Sequence, residues 1–335
     1  MAPESCAACR APVEGPAIET CREPVFGADF RLFRCQCCSV VFAKGPEGFP
    51  LVEWYQKSSY LYGEVEYSVR QPAERDQRFR WLLSQGFSGD LLDVGCGDGR
   101  FLDLAGASGW KGTLSGLDFS PEMVRRSAGG HPIELASLED YARSHAGAFD
   151  VVVLFDVIEH FPVPADAILH LKRLVKPGGI LALTTPNAAR IRLFGRREDF
   201  DFPPNHFTRW TPGALVALVE SGGFQPLETL TTPLRPRTFS EQWFYRLFSA
   251  AMPLAKRLLF GRAADGRTVS AMYGEGVKGP AVLADRGARR RVEVVLKAIF
   301  NALCWPVLIA VCLAYDAVSP RRGDMLFLSA RRRPN

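Results

Sequence analysis

The chain has 335 residues, 47% of them hydrophobic and 23% charged, a balance that sets aside disordered and fibrous classes and leaves room for two or three folded domains. The net charge of +5 is unevenly spread: from Arg235 onward there are 18 Lys/Arg against 7 Asp/Glu, so the remainder is acidic. A basic C-terminal part suits an anionic membrane surface or nucleic acid, and the neutral residues around it have to decide between them.

Residues 1–45 are rich in cysteine. Cys6-x-x-Cys9 and Cys35-x-x-Cys38 form two short pairs with 25 residues between them. Four thiolates in two such knuckles suit one tetrahedral Zn²⁺, and "FRLFRCQCCSVVF" sets the second knuckle between strand-like runs, as in a zinc ribbon. Cys37 lies between ligands; Cys21, Cys96, Cys304 and Cys312 read as single thiols. Two roles stand for the module: it recognises a substrate or partner, or zinc simply folds a domain with little core. The N-terminus, MAPESCAACR, has no basic-then-apolar leader, so a cytoplasmic location is expected.

Residues 46–85 carry aromatics and charges and read as a helical connector covering the site that follows. From 86 to 235 the pattern alternates. "DLLDVG" is a strand, "RFLDLAGASG" a helix, "TLSGLDFS" a strand and "PEMVRRSA" a helix opened by Pro121. "IELASLEDY" and "DVVVLFD" read as further strands, then "ADAILHLKRLV" as a helix and "ILALTTP" as a strand. Apolar strands separated by helices predict an α/β fold with a parallel sheet covered on both faces. Ligands of such sheets sit beyond the carboxyl ends of the strands.

"LLDVGCGDGRF" places Gly95, Gly97 and Gly99 directly after the first of these strands. A dinucleotide fingerprint needs G-x-G-x-x-G; Arg100 stands where its third glycine would be, so a pyrophosphate cradle is disfavoured. The loop fits an amino-acid-like group and a ribose instead. Asp118, at the end of the second strand, can accept both ribose hydroxyls. Asp93 lies inside the first strand, where a carboxylate needs hydrogen bonds. It can orient the glycine loop or meet an ammonium through water.

Over about residues 85–232, "LLDVGCGDG", "GLDFS", "FDVVVLFDVIEHF", "VKPGG" and "LTTPN" together resemble the class I S-adenosylmethionine (SAM)-dependent methyltransferases. The resemblance implies a Rossmann-like seven-stranded sheet with a reversed last strand, SAM as methyl donor, a glycine loop under its methionine part and Asp118 on its ribose. In that frame Asp93, Gly95, Gly97, Asp118, Phe119, Ser137 and Asp156 are the cofactor candidates. Phe119 would face the adenine or simply fill the core, and Ser137 stands where members often carry an adenine-binding Asp.

"D-V-I-E-H" resembles the subgroup of ubiquinone-biosynthesis and sugar O-methyltransferases, some of which link a divalent metal to acidic and His residues here. His160, Glu159 and His206 are the catalytic candidates. His160 has an ordinary pKa suited to a base near neutral pH; the alternative is that Glu159 and His160 only begin the next helix. His206 lines the acceptor mouth or clamps its loop, and Asn187 is a further substrate candidate. The four-cysteine module also recurs ahead of this methyltransferase type.

Residues 236–320 read as an apolar and basic helical insertion before the last strand, within 321–335, "DMLFLSARR". Ala298 to Tyr315 is uncharged and about 18 residues long, at the threshold of a bilayer span. A single crossing would separate the last two strands of one sheet, so an in-plane helical pair on a membrane face, or a helix buried against protein, fits better. The expected acceptor is small or lipid-linked (a glycan, polyprenyl or quinone-type hydroxyl), with peripheral attachment to the inner membrane face. An RNA methyltransferase and a non-catalytic zinc-ribbon scaffold are the competing readings. The greasy run counts against nucleic acid. Oligomeric state and the acceptor's identity are not written in the sequence.

Overall fold

The computed structural model describes residues 4–55, 57, 72–127, 129–189, 202–232, 307, 309–314, 317 and 323–334. The aromatic stretch 58–71 and the whole of the basic and apolar stretch 235–306 lie outside the described residues. The chain divides into two compact units: Met1–Ala189 with Glu198–Thr231 and Met325–Asn335, and Arg190–Arg197 with Thr232–Asp324.

The first unit is built on a seven-stranded sheet. Its strands are β6 (Leu91–Val94), β7 (Leu114–Asp118), β8 (Ile133–Leu135), β9 (Phe149–Phe155), β10 (Val175–Pro186), β12 (Phe224–Thr231) and β13 (Met325–Arg332). The spatial order is β12-β13-β10-β9-β6-β7-β8. β6 to β10 run parallel, while β13 runs antiparallel to both β10 and β12. This is the expected α/β Rossmann-like sheet with a reversed last strand. Its central strands are apolar on both faces: β6 is wholly buried, as are Val151 to Leu154 of β9.

Local sequence starts the helices. In α1 (Gln77–Ser84) the Asp76 carboxylate accepts the Arg78 N–H. The Ser120 hydroxyl caps α3 (Pro121–Arg126), Ser137 caps α4 (Leu138–Ser144) and Thr211 caps α6 (Pro212–Ser221). Between them lie α2 (Arg100–Ala107), which follows the glycine loop, and α5 (Pro164–Leu174). The strand expected over "IELASLEDY" is corrected: β8 stops at Leu135 and helix begins at Leu138. Ser137 followed three residues later by Asp140 is a capping signal, and it wins over the apolar spacing.

The N-terminal cysteines sit among short strands: β1 (Glu4–Ser5), β2 (Pro12–Val13), β3 (Glu19–Arg22), β4 (Asp29–Arg34) and β5 (Val41–Lys44). β11 (Thr208–Arg209) joins them in a four-stranded sheet of order β11-β5-β4-β3. This module shares a continuous apolar core with the large sheet, in which Cys6, Val13, Cys35 and Phe42 belong with Val152, Leu181, Trp210 and Leu215. Residues 51–55 of the connector are helical.

In the second unit, residues 309–314 are helical. Cys312 is buried, while Val307, Val311 and Leu313 are exposed. No helix among the described residues is long and apolar enough to cross a membrane.

Candidate functional site

The glycine loop leaves β6 with Gly95 and Gly97 in the left-handed region, at φ 72° and 60°. Their surroundings differ. A Cβ on Gly95 would lie 2.6 Å from Val157 Cγ2, so close packing against the β9 loop requires glycine there. A Cβ on Gly97 would meet nothing within 4 Å; its Cα faces open space beyond the strand ends.

Asp118 ends β7 directly beside this loop. Gly97 N–H donates to its Oδ2 and Ser120 N–H to its Oδ1, each at 2.8 Å. The side chain is nearly buried, and burial raises its pKa against the opposing pull of these backbone N–H groups. The loop is therefore held by Asp118. Asp93 is buried with no hydrogen bond to its Oδ1. Burial and the neighbouring Asp118 charge push its pKa well up. An unpartnered buried carboxylate oxygen is costly, and a cationic group near the loop would satisfy it.

Phe119 is 49% exposed, with Tyr55 edge-on at 5.4 Å between ring centroids. The Ser137 hydroxyl accepts from Asp140 N–H at 3.1 Å and donates to Asp140 Oδ2 at 2.7 Å, so it serves the start of α4. Asp156 follows β9 with φ 59°. Its carboxylate accepts from Arg78 Nη1 at 2.5 Å and from Thr184 Oγ1 at 3.0 Å. Arg78 also binds Asp76 through Nε and Nη2, at 3.0 and 2.6 Å. Sequence reasoning missed Arg78; only its place in the aromatic and charged connector marked it.

Beyond Asp156 a 3-10 turn, Ile158–His160, aims two candidates inward. Glu159 is 1% exposed; Thr185 Oγ1 donates to its Oε2 at 2.9 Å, and its Oε1 has no hydrogen bond. Burial and the Asp156 charge raise its pKa well above the usual range. His160 Nδ1 lies 2.6 Å from the Asn205 carbonyl oxygen. A carbonyl can only accept, so Nδ1 carries the hydrogen of the neutral ring and Nε2 carries the lone pair.

Burial, reinforced by His206, lowers the His160 pKa to about 3. That suits an imidazole that accepts a hydrogen bond or ligates a cation, rather than one that stores a proton at neutral pH. His206 is buried, with its ring centroid 4.9 Å from that of His160. One ligand atom from each of Glu159, His160 and His206 lies within 4.8 Å of the others. Tyr55, also absent from the sequence candidates, brings its hydroxyl to 3.2 Å from His160 Nδ1. Asn187 is fully buried and accepts from Ala189 N–H through Oδ1.

In the N-terminal module, the Sγ atoms of Cys6, Cys9, Cys35 and Cys38 all lie within 4.8 Å of one another. The two knuckles repeat one backbone design. Cys6 O accepts from Arg10 N–H and Cys35 O from Ser39 N–H, both at 3.0 Å, and Arg10 and Ser39 are both left-handed. Ala8 N–H points at Cys6 Sγ and Cys38 N–H at Cys35 Sγ, each at 3.4 Å. The Cys38 thiol, hydrogen-bonded to Cys6, holds the Cys6 pKa down at about 5 despite burial. Four clustered thiols with N–H groups aimed at sulfur fit Zn²⁺. Cys37 is exposed.

Residues 70–229 match the family model described as a methyltransferase domain. The ubiquinone biosynthesis O-methyltransferase of Thiobacillus denitrificans is 38% identical over 119 residues, 33% of this chain and 50% of that protein. The protein of the same name from Sodalis glossinidius is 38% identical over 108 residues, 30% of this chain and 43% of its own length. The chain thus spans about half the length of the curated relatives it matches. Among solved structures, a SAM-dependent methyltransferase from Archaeoglobus fulgidus aligns with 83% of this chain and 99% of its own, at 15% identity and a TM-score of 0.44.

Proposed function

We propose, for a chain whose residues 70–229 are a methyltransferase domain, that it transfers the methyl group of SAM to an oxygen of a small or lipid-linked acceptor. The observation that carries this reading is the open backbone at Gly97 beside the buried Asp118 carboxylate, with the Glu159, His160 and His206 cluster following the neighbouring strand.

The residues present fit SAM. Gly97 lets a ligand approach the main chain, Asp118 keeps lone pairs for a ribose diol, Phe119 offers an exposed ring, and the orphaned Asp93 Oδ1 suits the ammonium end. When bound, SAM supplies an electrophilic methyl group, so the protein mainly aligns the nucleophile. Neutral His160, its Nδ1–H fixed on Asn205, offers Nε2 to an acceptor hydroxyl. Arg78 holds Asp156 at the end of β9, which fixes the turn bearing Glu159 and His160.

A divalent cation held by Glu159, His160 and His206 is the alternative use of the same Nε2 lone pair, favoured by the unpartnered Glu159 Oε1. If bound there, an ion would be held by these three side chains and would supply Lewis acidity to an acceptor hydroxyl. The relatives' names support an oxygen acceptor, and the exposed Val307, Val311 and Leu313 support a lipid-linked one. The test is calorimetric titration with S-adenosylhomocysteine (SAH), then labelled SAM with lipid and soluble extracts. Saturable SAH binding and label entering the lipid fraction support the reading. A folded, zinc-loaded protein that binds neither SAM nor SAH overturns it and leaves the scaffold reading.

A further inference from the structure

The four-cysteine module reaches the His160 side of the site along two lines of contact. The first runs through β5, the strand that leaves the second knuckle. β5 pairs with β11 through Phe42 opposite Thr208 and Val41 opposite Arg209. Ala43 N–H then donates to Phe207 O at 2.8 Å, while Phe207 N–H donates to Glu159 O at 2.8 Å. The residue next to His206 is thus bonded to the module on one side and to the catalytic turn on the other. The second line starts at Glu23, 2% exposed at the β3–β4 hairpin. Its carboxylate accepts from Val25 N–H, Phe26 N–H and, at 2.9 Å, Trp54 Nε1. The next residue, Tyr55, places its hydroxyl against His160 and its ring against Phe119.

The glycine loop of the methyl-donor side has a different support, since Asp118 binds Gly97 and Ser120, and Tyr55 meets that side at the Phe119 ring alone. A metal held by Cys6, Cys9, Cys35 and Cys38 would join the first knuckle, 29 residues upstream, to the knuckle that launches β5. Without it, no covalent bond ties those two loops, because all four cysteines are free thiols.

We propose that the four-cysteine module, with its metal, is a positioning brace for the acceptor side: it fixes His206 through β5 and Tyr55 through Glu23 and Trp54. This rests on the methyltransferase reading for what the two sides bind. The brace explains why the module shares its core with the large sheet instead of hanging from a linker. It also assigns the zinc site a role in placing acceptor-side groups, beyond folding a small domain.

The test uses the full-length zinc-loaded protein, stripped with a mercurial and a chelator, with SAH calorimetry and hydrogen exchange read on peptides covering 41–44, 51–55 and 202–210. Exchange at 41–44 and 202–210 should accelerate by about tenfold or more, while SAH affinity stays within about twofold. Trp54→Phe is the second arm. It keeps zinc and the aromatic ring but removes the N–H to Glu23, so exchange should accelerate at 51–55 alone with SAH affinity unchanged. Unchanged exchange at 202–210 after zinc loss overturns the proposal. So does a collapse of SAH binding together with exchange everywhere, because the module would then support the whole fold. A zinc-loaded protein that never binds SAH refutes the methyltransferase reading instead and leaves the exchange test of the brace in force.

Discussion

Replacing Asp118 with Asn tests the methyl-donor pocket at its most constrained point. The carboxylate now accepts from two backbone N–H groups, Gly97 and Ser120, at 2.8 Å each. An amide offers one oxygen and one NH₂, and the NH₂ must face one of those two N–H donors. One charge-assisted hydrogen bond is lost, about 1.5–3 kcal/mol. For the fold this is partly offset, since Asn also removes a buried charge repelled by Asp93. Net destabilisation should therefore be small, about 1 kcal/mol. The ligand has no such offset. A ribose diol that met a carboxylate now meets one acceptor, so SAH affinity should fall about 10- to 150-fold, the same 1.5–3 kcal/mol expressed as binding. Calorimetry measures the affinity, and a melting curve confirms that the variant is folded. A folded Asp118→Asn protein that binds SAH within twofold of the parent would refute the assignment of Asp118 to the ribose.

Gly97→Ala should remain folded, losing about 1–2 kcal/mol for a left-handed alanine, yet lose SAH affinity, because its methyl enters the open crevice; Gly95→Ala should lower the melting temperature further, since its methyl meets Val157. Asp93→Asn gives a pH signature. The native state holds the Asp93 proton more tightly than the unfolded chain does, so the ionised group destabilises the fold above that raised pKa. The variant should therefore be more stable than the parent at pH 8, by about 1–3 kcal/mol, and the gain should shrink steadily as pH falls from the raised pKa to the ordinary carboxyl range, below which it is gone; an equal gain at every pH in denaturant titrations would disprove it. His160→Gln should lower methyl transfer by about 10²–10⁴-fold with SAH affinity unchanged, and normal turnover would remove His160 from the chemistry. Arg78→Met leaves Asp76 and Asp156 without their guanidinium, and because Arg78 is 30% exposed the loss should be about 1–3 kcal/mol rather than that of a fully buried pair, read by chemical denaturation.

The contact between the glycine loop and Asp118 was legible in the sequence because it is local. Gly95, Gly97 and Asp118 lie within one strand–helix–strand unit, and the fold type fixes where that unit's loops point. The two cysteine knuckles were legible for the same reason: each closes within a few residues. Where a local signal competed with periodicity, it was the local signal that held, as Ser137 and Asp140 show by starting a helix in an apolar run.

The acceptor half was legible only in part: Glu159, His160 and His206 stood out in the sequence and come together in the fold, while Tyr55 and Arg78 reach them from distant pieces that no local signal marks. Tyr55 meets His160 across 105 residues, Arg78 meets Asp156 across 78, and Val41 pairs with Arg209. No periodicity or spacing encodes such contacts; they exist only once the sheet and the module share a core. The shift of His160 also escapes the sequence, since its low pKa comes from burial and from His206, 46 residues away. An imidazole that sequence alone would choose as a base becomes, in its folded surroundings, a neutral acceptor with one nitrogen already engaged. The state of the His160 ring is thus set by three separate segments, the turn that carries it, Asn205–His206 and Tyr55, which desolvate and orient it.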